Sequence, residues 1–258
     1  MIRKCSICGK RGADLYRSSS GEYICSKCLE KVVVKNVKKT LGKTRRLTTG
    51  MNILIYGTWL SPIESLISMR IVPRVESKYK TKISIIIPGD MLNYTQNLIK
   101  SQWSVSTYNY RFKGKQLAEC VLEDIENARK IGLESGFDVV ITPYSRLLLI
   151  KAGLQAILAG RKDLIKASRP FHDTGPLVIS ALFGLEKELI LKYAFIRGLP
   201  LLEPKHSCNE MGSGNILFNL LKDSHEVEFN SLRTLEILAE FAETGNHSSF
   251  ISSSEEEH

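Results

Sequence analysis

Four cysteines constrain this chain more than any other feature. Cys5, Cys8, Cys25 and Cys28 form C-x2-C-x16-C-x2-C, a spacing in which each pair sits on one tight knuckle of a metal site. Four thiolates around Zn2+ make a closed tetrahedral centre with a structural role and no open position for chemistry. Iron is the rival metal. Disulfides are the competing covalent reading, disfavoured because the opening "MIRKCSICGK" lacks the apolar run of a secretory signal. Without metal, so short a module cannot bury enough apolar surface to fold. "EYIC" reads as a strand feeding the second knuckle, and "LEKVVVKNVKKTLG" as a lysine-bearing helix.

Past "GKTRRLTTG" the pattern alternates. "NILIY", "KISIII", "WSVSTYNY" and "DVVIT" are expected strands. "SPIESLISMRIV", "MLNYTQNLIKSQ", "KQLAECVLEDIENARKIGLESG" and "SRLLLIKAGLQAILAG" are expected helices. This alternation predicts an α/β fold with a doubly wound parallel sheet, whose ligand site lies at the carboxyl ends of the strands. The remainder reads as helical: "EKELILKYAFIRG" with a Gly198-Leu-Pro stop, "NILFNLLKD" and "SLRTLEILAEFAE". The expected organisation is a zinc ribbon with a basic helix (1–40), a linker (41–51), the α/β domain (52–205), C-terminal helices (206–245) and an acidic tail (246–258).

The net charge of +9 is unevenly spread, with thirteen Lys/Arg against three Asp/Glu in residues 1–50. A basic head suits a polyanion such as RNA, although a solvated lysine-rich surface has the same composition. Lys31, Lys35, Lys38, Lys39, Arg45 and Arg46 are the candidate phosphate contacts. No stretch approaches the roughly 18–20 apolar residues of a membrane span, so no membrane association and a cytoplasmic location are expected.

The order of these pieces resembles the tRNA 2-thiolation proteins of the PP-loop (N-type ATP pyrophosphatase) superfamily. Glu186, Glu188, Tyr193, Ala194, Gly198, Leu199, Pro200 and Cys208 read much like the family's succession of an E-x-E-x-x-x-Y-A helix, here with one residue more before the Tyr-Ala pair, a G-L-P stop and a following cysteine. The resemblance implies a PP-loop, adenine nucleotide hydrolase-like domain acting on tRNA, with ATP and Mg2+ activating the uridine C2 oxygen before sulfur replaces it. The family's S-G-G-x-D-S loop reads Tyr56, Gly57, Thr58, Trp59, Leu60, Ser61 here, so an acid has become leucine. The family's later T-G-H-N-x-D-D reads "TPYSRLL": Thr142 survives, Pro143 replaces glycine, and Leu147 and Leu148 stand at the acidic positions. Gly57, Thr58, Ser61 and Thr142 are therefore the remnant of a nucleotide site, and bound ATP and Mg2+ are not expected. Of the family's three reactive or cluster-binding cysteines, a C-x-x-C pair and a later one, Leu117 stands at the first, Cys120 at the second and Cys208 at the third. As residual catalytic candidates the two cysteines can form a transient disulfide or bind metal with His206; two unlinked core cysteines is the preferred reading. An iron–sulfur cluster is not expected.

Three functions follow as expectations. The first is a non-catalytic tRNA-binding subunit, paired with a catalytic PP-loop paralogue or with itself as a homodimer, and served by a sulfur-carrier protein. The second is an active ATP-dependent tRNA uridine 2-sulfurtransferase with an atypical loop. The third is a zinc-ribbon nucleic-acid-binding adaptor.

Overall fold

The computed structural model describes residues 3–10, 12–99, 102–206, 208 and 225–244. A small antiparallel hairpin, β1 (Leu15–Arg17) and β2 (Glu22–Ile24), leads into α1 (Ser26–Lys43). The main body follows as β3 (Asn52–Tyr56), α2 (Pro62–Glu76), β4 (Lys82–Pro88), β5 (Ser104–Tyr108), α3 (Leu117–Glu134), β6 (Val139–Ser145) and α4 (Arg146–Leu158). Then come β7 (Phe171–His172), β8 (Leu177–Leu182), α5 (Lys187–Ile196) and α6 (His225–Thr244).

The large sheet has the order β5-β4-β3-β6-β8-β7, parallel except for the short edge strand β7. The chain winds outward from β3 through β4 to β5, then returns to the other side of β3 to lay down β6. The β3/β6 boundary is thus the switch point, and the loops leaving those two strands form the crevice where such sheets bind ligands.

Alternation along the strands builds two cores. Ile53, Ile55, Ile85, Ile87, Ile141 and Ile179 face the layer of α1, α2 and α5, while Leu54, Tyr56, Ile86, Val140 and Val178 face that of α3, α4 and α6. At the start of helix α3 the Glu119 carboxylate accepts from the Gln116 N–H at 3.2 Å and from the Lys115 N–H at 3.0 Å. The doubly wound α/β architecture expected from the alternation is the one observed.

Local differences have physical causes. The described residues of "MLNYTQNLIKSQ" do not form an α-helix. A 3-10 turn spans Gly89–Tyr94, and the Thr95 hydroxyl donates to the Leu92 carbonyl at 2.8 Å. Asn, Tyr and Thr are weak helix formers, and such side-chain bonds compete with the helical ladder. "PLVISAL" holds a strand, β8, to which the sequence pattern assigns no element: a continuous apolar run has no period to separate strand from helix. "NILFNLLKD" lies outside the described residues.

Candidate functional site

The metal-ligating module is assembled by its neighbours. Cys25 is the N-cap of α1 and Cys28 lies in that helix's first turn, so one knuckle is a helix start. Each of Cys5, Cys8, Cys25 and Cys28 offers a sulfur, and all four sulfurs lie within 4.8 Å of one another. Burial works to raise the Cys5 thiol, but hydrogen bonds from the backbone at Cys25, Cys8 and Ile7 outweigh it and bring it down to about 6. Burial, reinforced by the three other sulfurs, pushes Cys28 up to about 12. One thiolate forms readily, and a full set needs a cation to offset the crowded negative charge. The donor set and its compactness fit a metal ion.

The module is not tethered loosely. Leu29, Val33, Val37 and Leu41 recur every four residues along α1 and enter the same core as Leu66 and Tyr193. A Cβ on Gly184 would lie 2.9 Å from the Thr40 hydroxyl, so glycine there lets α1 approach the turn after β8. The hairpin tip is clamped by α5. Arg17 donates to Glu186 at 2.6 Å, the Ser19 hydroxyl to the same carboxylate at 2.8 Å, and the Ser18 amide and hydroxyl to Glu188 at 3.0 and 2.7 Å. Burial opposes the charge on Glu188, but the Lys192 ammonium and both Ser18 donors prevail and hold its carboxyl at about 2. The two glutamates singled out by the family resemblance thus bind the metal module to the body.

The other face of α1 is cationic. Lys31, Lys35, Lys38 and Lys39 are exposed along one side, and Arg45 and Arg46 follow in the loop. Arg46 reaches Asp173 at 3.5 Å, between two exposed side chains. Glu30, the acid on this helix, turns instead to Arg74 and Arg197.

At the switch point the loop after β3 is packed shut. Thr58, Trp59, Leu60 and Ser61 are all buried. Three of its amides already have partners: the Gly57 N–H donates to the Ile86 carbonyl, that of Thr58 to the Ser65 hydroxyl, and that of Leu60 to the Thr58 hydroxyl. Pro62 opens α2 and contributes no N–H. The buried Glu64 carboxylate stands in the first turn of α2, paired at 2.6 Å with the Lys187 ammonium. Cavities of about 100 Å³ beside Leu60, Ser61, Leu147 and Leu148 and about 260 Å³ beside Thr58 and Trp59 remain, both below the roughly 300 Å³ lower bound of ordinary small-molecule sites. Gly57 itself answers a packing demand. A Cβ there would lie 2.5 Å from Met69 Cε and 2.9 Å from Ile87 Cγ2.

Tyrosines occupy the space behind this loop. Tyr56 donates to Asp124 Oδ1 at 2.7 Å, Tyr144 donates to Oδ2 of the same carboxylate, and Asn127 donates to the Tyr56 hydroxyl at 3.0 Å. The Tyr108 ring stacks on Tyr56 at 5.1 Å and its hydroxyl donates to the Gly57 carbonyl. Burial raises Asp124 to about 6, against the opposing tyrosine hydrogen bonds. Sequence reasoning missed this cluster. Its trace was Asp124 on the apolar side of α3, one residue from Ile125. Thr142 sits in the sheet, 3.2 Å from the Ser180 hydroxyl, and the β6–β8 register shifts between Thr142 and Ser145, a span that contains Pro143.

Cys120 and Cys208 are joined as a disulfide across 88 residues of chain, so the expectation of two unlinked core cysteines does not hold. Burial in one core was legible from their type; adjacency required the fold.

No protein-family model matches the chain, and no curated protein matches its sequence. Among solved structures, the U34-tRNA thiolase NcsA from Methanococcus maripaludis, described with its [4Fe-4S] cluster, superimposes with a TM-score of 0.71 at 16% identity, covering 93% of this chain and 88% of that one. A putative sarcosine dimethylglycine methyltransferase from Galdieria sulphuraria covers 90% of this chain and 87% of its own at 11% identity, but its TM-score of 0.30 carries no structural argument. The thiolase overturns the expectation against an iron–sulfur cluster. It carries one, and this chain gathers four thiols able to hold a metal. That expectation counted cysteines only around Cys120 and Cys208, whereas a four-thiolate set suits iron–sulfur clusters as well as zinc. What the comparison establishes at this identity is the architecture: the chain has the PP-loop-like fold of a tRNA thiolase, with a four-cysteine group at its N-terminus.

Proposed function

We propose that this protein is a tRNA-binding, non-catalytic relative of the PP-loop tRNA sulfurtransferases, working beside a catalytic paralogue. The observation that carries the reading is the closed loop after β3. Three of its amides are bonded within the protein, Leu60 stands where the family places an acid, Glu64 occupies the first turn of α2, and the spaces left against the loop are of about 100 and 260 Å³. Phosphate binding at such a junction depends on free amides and a helix start open to an anion.

The RNA half of the reading rests on the exposed lysines of α1. Lys31, Lys35, Lys38 and Lys39 form one stripe on a helix whose opposite side is locked into the core. A rigid row of this kind positions a phosphate backbone without reading bases. The similarity to a U34-tRNA thiolase supports tRNA as the polyanion.

The deciding experiment is calorimetric titration of the metal-loaded protein with ATP and Mg2+, alone and with tRNA present. The expected outcome is no ATP heat in either case, with tRNA binding that weakens steeply as salt rises. ATP binding would overturn the non-catalytic reading and favour an active sulfurtransferase. Salt-insensitive tRNA affinity would remove the α1 stripe as its contact.

A further inference from the structure

The segment following α5 crosses the carboxyl ends of the strands as a strap, and we propose that the Cys120–Cys208 disulfide is a thiol-operated latch that holds it there. The inference stands on geometry independent of the RNA reading. Gly198, at φ 61°, ends α5 and releases the chain, and no helix or strand covers 199–206. Leu202 and Pro204 border the small cavity over the loop after β3. Lys205 then ties the strap to two strand ends. Its N–H donates to the Trp59 carbonyl at 3.3 Å, and its ammonium lies 4.0 Å from the centre of the Trp59 ring and 3.4 Å from Asp90. Lys205 and His206 border a second cavity of about 260 Å³, shared with Thr58, Trp59, Tyr108 and Tyr110. Two residues on, Cys208 is bonded to Cys120 in the second turn of α3.

The strap therefore stands between two cavities at the ligand-binding edge of the sheet, and both open to each other when it lifts. Lys205's exposed ion pair and its cation–π contact are weak by nature. The covalent bridge is what makes closure persist, since it removes the entropy of closing a long loop. Opening needs two electrons and two protons, supplied by a dithiol. One of its thiolates attacks the Cys208 sulfur, forming a mixed disulfide and releasing the Cys120 thiolate, which takes up a proton. The second thiol then displaces Cys208 as a thiol and leaves the reductant as a disulfide. Exchange with the disulfide form of the same couple runs the steps backwards and recloses the strap.

Trp59 reports the latch directly. The chain has two tryptophans, so Trp103→Phe in the full-length, metal-loaded protein leaves Trp59 as the only one. Acrylamide quenching is compared before and after reduction with a water-soluble phosphine as the laboratory reductant, in samples whose metal content is unchanged and whose reduction is verified by alkylation of two thiols. The quenching constant should rise roughly threefold or more on reduction, as for a local opening, and fall back on reoxidation. Cys208→Ser in the same background should be open without reductant. Unchanged quenching in the verified dithiol state would overturn the latch, whether or not the serine variant folds.

Discussion

The four-cysteine module and the loop after β3 are both signatures legible in the sequence, and they meet opposite fates in the fold. In the module, residue type and spacing act through chemistry: four soft donors converge within 4.8 Å and need a cation to neutralise them. In the loop, residue type acts through volume. Gly57 and the hydroxyls of Thr58 and Ser65 serve packing and internal hydrogen bonds, and a ring of tyrosines takes the space behind them. A ligand site persists where the donors are left unsatisfied by protein, and closes where the protein satisfies them itself.

The largest test of this contrast is metal removal. Cys5, Cys25 and Cys28 share a core with Val33, Ile55 and Leu66, so stripping the ion should loosen α1 and lower the melting temperature of the whole chain. Structural sites of this type bind with apparent free energies on the order of 10 kcal/mol. Thermal melts by circular dichroism with and without chelator, with the released metal identified by elemental analysis, check it. An unchanged melt would make the module an appendage.

The second test uses Asp124, whose carboxyl burial raises to about 6. The folded state holds this proton more tightly than the unfolded chain, whose aspartates titrate near 3.9. Its contribution to stability is therefore greatest at low pH and falls as pH rises from about 4 to about 6, by roughly 3 kcal/mol at most. Urea unfolding across that window should show the decline, and Asp124→Asn should flatten it. A slope that survives the substitution would assign the titration elsewhere.

The smallest effect separates packing from phosphate binding at Gly57. Gly57→Ala inserts a methyl against Ile87 and Met69 and should cost about 2 kcal/mol through overpacking. A loop kept open for phosphate would tolerate the methyl with little loss of stability, so a neutral result in equilibrium unfolding would reopen the nucleotide reading.

Legibility followed the range of the forces. Strand-helix alternation revealed the doubly wound sheet because burial of one face repeats every two or four residues. The pairing of β7 with β8 was hidden, because a two-residue strand and an apolar run carry no period. Glu186 and Glu188 stood out in the sequence, yet their partners Arg17, Ser18 and Ser19 lie some 170 residues away.

By itself the sequence determined a four-cysteine group able to hold a metal, the charge of α1 and the absence of acids at the two loops of the switch point, since each depends on which atoms a residue carries and on short spacings. Tertiary structure alone decided that the loop after β3 is filled, that Asp124 is shared by two tyrosines, and that Cys120 meets Cys208. Those outcomes depend on which distant side chains compete for the same volume and the same hydrogen bonds, and only the folded chain brings the competitors together.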